Sequence, residues 1–163
     1  MRLVLMRHAK SDWSLNGEDH DRPLNKRGTG NARRLGDWLR TKSYLPDEVL
    51  CSTSIRTRQT LTLTGLDAAT VRFEQALYHA SRETMMELLQ SASGNCVLMI
   101  GHNPGIAAFA TSLVAVQPLH LRFRDYPTCA TLVVDFNIRS WEELTPQSGN
   151  ARDFVIPREL VTP

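Results

Sequence analysis

The chain begins with an apolar run of strand length, Leu3-Val4-Leu5-Met6, which passes without a break into Arg7 and His8. Consecutive apolar residues suit a strand covered on both faces, so residues 2–6 are read as the first strand. A long polar loop follows. The helical spacing of Ala32, Leu35, Trp38 and Leu39 then predicts a helix starting near Gly28. Residues 47–51 are read as a second strand, 55–63 as a helix stopped by Gly65, and Val71 with Phe73 as a short third strand. Ser81 caps a helix with an apolar face that ends at Ser93-Gly94-Asn95. The continuous apolar run 96–100 reads as a central strand, and Pro104 sits where the first turn of a helix tolerates it, in a helix reaching about Val114. Residues 131–136 form the last clear strand, with residues 141–143 expected to pair as an antiparallel edge. Strands alternating with helices predict an α/β fold, a three-layer α/β/α sandwich whose central sheet is mostly parallel with an antiparallel edge.

Length adds that 163 residues fit one domain, 1–163, rather than two independent cores. Composition, at 42% apolar and 22% charged, is that of a globular chain and argues against disorder. The net charge of +2 and the absence of a dense Lys/Arg run with interleaved aromatics give no reason to expect nucleic acid. No run approaches the roughly eighteen apolar residues of a membrane span, and the first strand lacks a signal-peptide pattern. A cytoplasmic protein without membrane attachment is expected. Cys51, Cys96 and Cys129 are odd in number and far apart, so they read as small buried hydrophobes rather than as disulfides or zinc ligands.

In open α/β sheets, ligands bind at the carboxyl ends of the strands, beside helix N-termini whose N–H groups favour anions. Three such ends carry related chemistry here: Arg7-His8 after the first strand, Cys51-Ser52-Thr53-Ser54-Ile55-Arg56 after the second, and Gly101-His102-Asn103-Pro104-Gly105 after the fourth. Each alone has a plain alternative: a solvated strand end, a surface helix residue, a helix-capping histidine. Together on one edge they point to an anion site. Two arginines and a histidine suit phosphoryl transfer, in which the protein positions and neutralises charge spread over three oxygens. A neutral imidazole, with an unperturbed pKa of about 6.5, can supply the nucleophile. On the residues alone, His8 or His102 fills that role.

These motifs resemble the histidine phosphatase superfamily, with its phosphoglycerate-mutase-like fold, and within it the small SixA-type phosphohistidine phosphatases. RHAKSDW is similar to the family's first signature, DRPLNKRGTGNA to the segment after it, CSTSIRTRQT to the arginine-bearing second signature, IGHNPG to the third, and YPTCATLVVDF to a late Pro-Thr-containing strand. The resemblance implies that His8 is the transiently phosphorylated nucleophile and that Arg7, Arg56 and His102 surround the phosphate. It makes Ser14 a phosphate ligand, near the place where larger relatives present an asparagine. No metal and no cofactor are implied.

Two departures from the pattern stand out. Ala9 replaces the usual glycine after the histidine, a substitution expected to be tolerated. Where larger relatives carry the glutamate of an L-x-E stretch as general acid, this chain reads Leu77-Tyr78-His79, with Glu83 one helical turn further on. His79 is therefore the substrate-side candidate. A nitrogen leaving group such as imidazole depends less on an enzyme-supplied proton than an alkoxide does, so a missing glutamate favours phosphohistidine. The short stretch between Phe73 and Cys96 leaves little chain for a lid, which suits a phosphate displayed on a protein. The expected partner is thus a phosphorylated protein and the expected state a monomer. A small-molecule phosphomonoesterase using His79 or Glu83 as acid is the enzymatic alternative, and a non-catalytic phosphate-binding module the other. A mutase, which needs an enclosed pocket, fits least.

Overall fold

The computed structural model describes residues 1–160. Its six-stranded sheet is built from β1 (Arg2–Arg7), β2 (Glu48–Ser52), β3 (Thr70–Glu74), β4 (Cys96–Gly101), β5 (Thr131–Asp135) and β6 (Asn150–Val155), in the spatial order β3-β2-β4-β1-β5-β6. The first four strands run parallel to one another, whereas β5 is antiparallel to both β1 and β6. Helices α1 (Lys26–Thr41) and α2 (Ile55–Thr64) pack together on one face, α3 (Arg82–Gln90) and α4 (Gly105–Leu113) on the other.

The alternation of β1 sorts these layers. Leu3 and Leu5 enter the core beneath α3 and α4, while Val4 and Met6 enter the core beneath α1 and α2; all four are fully buried. A strand walled on both faces has no solvent side, which is why its sequence is apolar without a gap. Helix starts follow their caps: Asn25, Ser54 and Ser81 each accept a hydrogen bond from the backbone N–H three residues on. Gly65, at φ +65°, ends α2 in the left-handed conformation that glycine adopts without steric cost.

Three expectations need correction. Residues Trp141–Glu143 form a 3-10 turn, not an edge strand; Trp141 is buried there and donates its indole N–H to the Gly94 carbonyl. The edge is β6, whose Arg152-Asp153 pair and the register shift opposite Val133/Val134 break the period-2 pattern that would have revealed it. Cys96 opens β4 half-exposed, whereas Cys51 and Cys129 are buried. Burial pushes the thiols of Cys51 and Cys129 up to about 12 and that of Cys96 up to about 11, so all three are poor nucleophiles. No described helix is long and apolar enough to cross a membrane.

Candidate active site

The parallel register places the two histidines side by side. Arg7 pairs with Gly101 at the ends of β1 and β4, so the next residue in each strand, His8 and His102, leaves the sheet at the same edge. Their rings lie 5.2 Å apart. On the other side of β4, β2 ends at Ser52, and Arg56 follows in the first turn of α2. A cleft of about 150 Å³ opens here, lined by Arg7, His8, Arg56, His79 and His102 together with Lys10, Ser11, Trp13, Arg22, Asn103 and Thr128.

Two glycines allow the surrounding backbone to close in. A Cβ on Gly28 would sit 2.1 Å from the Lys10 carbonyl oxygen, so the first turn of α1 can press against the loop after His8 only as glycine. A Cβ on Gly105 would sit 1.9 Å from the Ala80 carbonyl, which fixes the start of α4 against the segment carrying His79. Ala9 does not crowd the cleft. It is fully buried in the core under α1 and α2, and its N–H donates to Thr60 Oγ1 at 3.0 Å.

Hydrogen bonds settle the tautomers. His8 Nδ1 lies 2.8 Å from the Ala9 carbonyl, an oxygen that only accepts, so Nδ1 carries the proton and Nε2 keeps its lone pair. Burial pushes the His8 pKa well below the usual value; the bond to Ala9 opposes the shift, and His102, Arg56 and Arg7 add to it. His102 Nδ1 faces Arg56 Nη2 at 3.4 Å, a group that only donates, so His102 is protonated on Nε2 and donates from there to Ser52 Oγ at 2.8 Å. Burial first, then the Arg56 charge, pushes His102 down to about 3. Both imidazoles are neutral at pH 7.

The arginines are held from behind. Arg7 Nη1 donates to the Tyr126 carbonyl at 3.1 Å, which also accepts from Asn103 Nδ2 at 3.1 Å. Tyr126 is itself pinned, its hydroxyl donating to the Leu5 carbonyl at 2.6 Å. Burial, then the Arg56 charge, lowers the Arg7 pKa, a strain that a bound anion relieves. Arg56 donates to the Asp19 backbone carbonyl at 2.7 Å and to its carboxylate at 3.0 Å. The Nε–H groups of Arg7 and Arg56 are buried without a partner among the described residues.

Of the residues singled out in the sequence, Arg7, His8, Arg56, His102 and His79 meet around the cleft. Ser14 does not. It is exposed, and both its N–H and Oγ bond to Asp12 Oδ1. Glu83 lies outside the cleft, exposed and paired with Arg82. The residue that sequence reading missed is Asp19, in a 3-10 turn of the long loop after β1. Its carboxylate accepts from Arg56, Arg22 and Tyr78, and lies 3.9 Å from His79 Nε2. Burial pushes its pKa up, but the Tyr78 hydroxyl and the two guanidiniums outweigh this and hold it far below the usual carboxylate range. Loop residues carry no periodicity, so nothing in the pattern marks Asp19. Ser52 was findable as the first residue after a strand already assigned to this edge; the structure makes it the last residue of β2.

Comparison with known proteins agrees with this geometry. The profile of the Histidine phosphatase superfamily (branch 1) matches residues 3–78. An uncharacterised Mycobacterium tuberculosis protein is 35% identical over 160 residues, covering 94% of this chain and all of the relative. A candidate SixA phosphohistidine phosphatase from Nakamurella multipartitia superposes with a TM-score of 0.84 at 31% identity, over 96% of this chain and 95% of the other. Its counterpart from Agrobacterium tumefaciens gives 0.79 at 30% identity, over 96% and 97%. With the phosphoglycerate-mutase-like sheet, the three signatures at its edge and end-to-end similarity to SixA-type proteins, the chain belongs to the histidine phosphatase superfamily and is a SixA-type phosphatase.

Proposed function

We propose that the protein hydrolyses phosphohistidine on a protein substrate, through a phosphoryl intermediate on His8. The carrying observation is the floor of the cleft, where a neutral imidazole with an unprotonated Nε2 sits between two arginines. In the first step the Nε2 lone pair forms a bond to phosphorus as the bond to the substrate nitrogen breaks, and the departing imidazole takes up a proton. Water then attacks phosphorus, releases phosphate and restores His8. Arg7 and Arg56 neutralise the equatorial oxygens throughout, and the proposal calls for no metal ion.

The substrate assignment draws on the small volume of the cleft, enough for one phosphoryl group, and on the designation of the Nakamurella and Agrobacterium proteins. The Asp19 carboxylate beside the cleft is anionic and committed to Arg56, Arg22 and Tyr78, which makes it a poor proton donor for an alkoxide. One observation favours a second reading: His79 lines the cleft, so a phosphomonoester could draw its proton there.

The test compares turnover of a phosphohistidine-bearing protein with a panel of phosphate esters. Brief incubation with labelled phosphohistidine protein should leave an acid-labile, alkali-stable label that His8→Ala abolishes. Faster ester turnover would move the substrate to a phosphomonoester. Labelling that persists in His8→Ala would remove His8 as the nucleophile.

A further inference from the structure

Beside the phosphate cleft lies a second and larger depression of about 450 Å³ that shares Arg7, Lys10 and Thr128 with it. Its other charged lining residues are Arg27, Arg34, Arg122, Arg158 and Asp125, so one acid stands among six cations. That acid is already used, because Asp125 pairs with Arg122. Among the described residues, Lys10, Arg27 and Arg34 make no ion pair. A net charge of +2 for the whole chain does not by itself gather six cations in one groove.

The wall formed by α1 is informative. Arg27, Asn31 and Arg34 stand at i, i+4 and i+7 on one stripe of that helix, and both arginines are exposed. The first turn of α1 holds no acidic residue and begins Lys26-Arg27, the charge that a helix N-terminus disfavours. Arg27 is thus kept against the preference of its own helix. Arg27 and Arg34 are about 10 Å apart along the axis, the reach of roughly three extended residues.

We propose that this groove is the docking site for an acidic segment flanking the phosphohistidine of the protein substrate. The inference rests on the proposed phosphohistidine reading and adds to it the chemistry of the substrate around the modified residue. A single phosphoryl group fills the cleft; the chain that carries it must leave over the rim, and the shared edge at Arg7, Lys10 and Thr128 opens directly into the groove. Carboxylates spaced by about three residues would meet Arg27 and Arg34 in turn. Long-range attraction of this kind raises the rate of encounter and weakens with salt.

The experiment uses synthetic phosphohistidine peptides that differ only in flanking residues, aspartates against glycines, with wild type and the double variant Arg27→Glu/Arg34→Glu. Wild type should turn over the aspartate peptide at least tenfold more efficiently in kcat/KM, through KM, and lose that advantage between 50 and 500 mM NaCl. The double variant should lose the preference while hydrolysing free phosphohistidine at the wild-type rate. Its Tm should stay level or rise, since Glu at position 27 suits the helix N-terminus. Equal kcat/KM for the two peptides in wild type overturns the proposal, as does an equal loss on free phosphohistidine in the variant. Inhibition by tripolyphosphate without any preference for the aspartate peptide would assign the groove to a small polyanion instead. If no phosphohistidine compound is turned over, the substrate reading fails separately. The groove is then judged by fluorescence anisotropy of the unphosphorylated peptides: tighter binding of the aspartate peptide, lost in the double variant, upholds it, and equal binding overturns it.

Discussion

The floor and the rim of the cleft are built on different principles. On the floor, His8, His102 and Arg56 stand at the ends of β1 and β4 and in the first turn of α2, and are 6%, 5% and 4% exposed. Their spacing is set by the hydrogen-bonded strands of a sheet, a rigid frame that side-chain substitutions elsewhere scarcely move. On the rim, Asp19 and His79 come from irregular segments, with side chains 41% and 64% exposed. His79 even holds a left-handed backbone, at φ +57°. Position on the rim depends on one polar network centred on the Asp19 carboxylate. On the proposed mechanism the chemical step is fixed by the sheet, whereas the rim is held by contacts that single substitutions can release.

The sharpest way to break this contrast is at Arg56, the floor residue that the rim also grips. Arg56→Ala should lower turnover by about a hundredfold to a thousandfold with the fold intact, as loss of a charge-stabilising donor does. Arg56→Lys should recover little, because an ammonium cannot reproduce the fork that meets both Asp19 and an anion. Near-normal rates in both variants would place Arg56 outside the chemistry.

The floor should also be visible in stability. His8 and His102 are held neutral by burial, with His102 down at about 3, whereas an unfolded histidine takes up a proton near 6.5. Because the unfolded chain binds more protons below about 6.5, acid favours unfolding, and the loss continues down to the folded pKa. Each such histidine contributes up to about 1.4 kcal/mol of loss per pH unit in that window. Urea unfolding at pH 7.5, 6.0 and 5.0 should show this fall, and His102→Asn should make it shallower. An unchanged slope in that variant would mean that His102 is charged in the folded protein.

Rim substitutions should act more weakly and in a different parameter. Asp19→Asn removes the charge facing Arg56 but leaves the backbone carbonyl that also holds it. Turnover should fall about tenfold, while inorganic phosphate, the product, binds several-fold tighter because Arg56 is less neutralised. A fall in kcat with no change in phosphate inhibition would assign Asp19 a purely structural role. The smallest effect is expected at His79: His79→Ala should leave phosphohistidine hydrolysis within about tenfold of wild type, below the hundredfold typical of a lost general acid. Abolished turnover of phosphohistidine with a folded protein would make His79 the acid and favour an ester substrate.

The floor was legible in the sequence for the same reason that it is rigid. Arg7-His8 and Gly101-His102 directly end apolar runs, and an apolar run of strand length is the strongest pattern a buried parallel sheet writes into a chain. Arg56 could be placed because a serine-capped helix follows β2 at once. Asp19 and Tyr78 were not legible, since they meet through a loop and a turn 59 positions apart whose geometry no period encodes. β6 escaped for a related reason: an edge strand with a register shift alternates imperfectly. Ser14 shows the opposite failure, where a position suggested by larger relatives falls in a loop that here folds onto Asp12.

The placement of β1 between β4 and β5 has a consequence for the newly made chain. β1 is made before both of its partners, which lie 94 and 133 residues later, Arg2 pairing with Cys96 and with Asp135. Until β4 emerges, its apolar face has no neighbour in the sheet, and His8 has no His102 beside it. Closing such long loops before any pairing rewards them makes folding slow, in the range of milliseconds to seconds for topologies dominated by distant contacts. A ribosome-bound chain that stops before β4 should therefore expose Leu3 to Met6 to chaperones and take no phosphoryl group, so that activity would arrive only once β4 and β5 have joined β1.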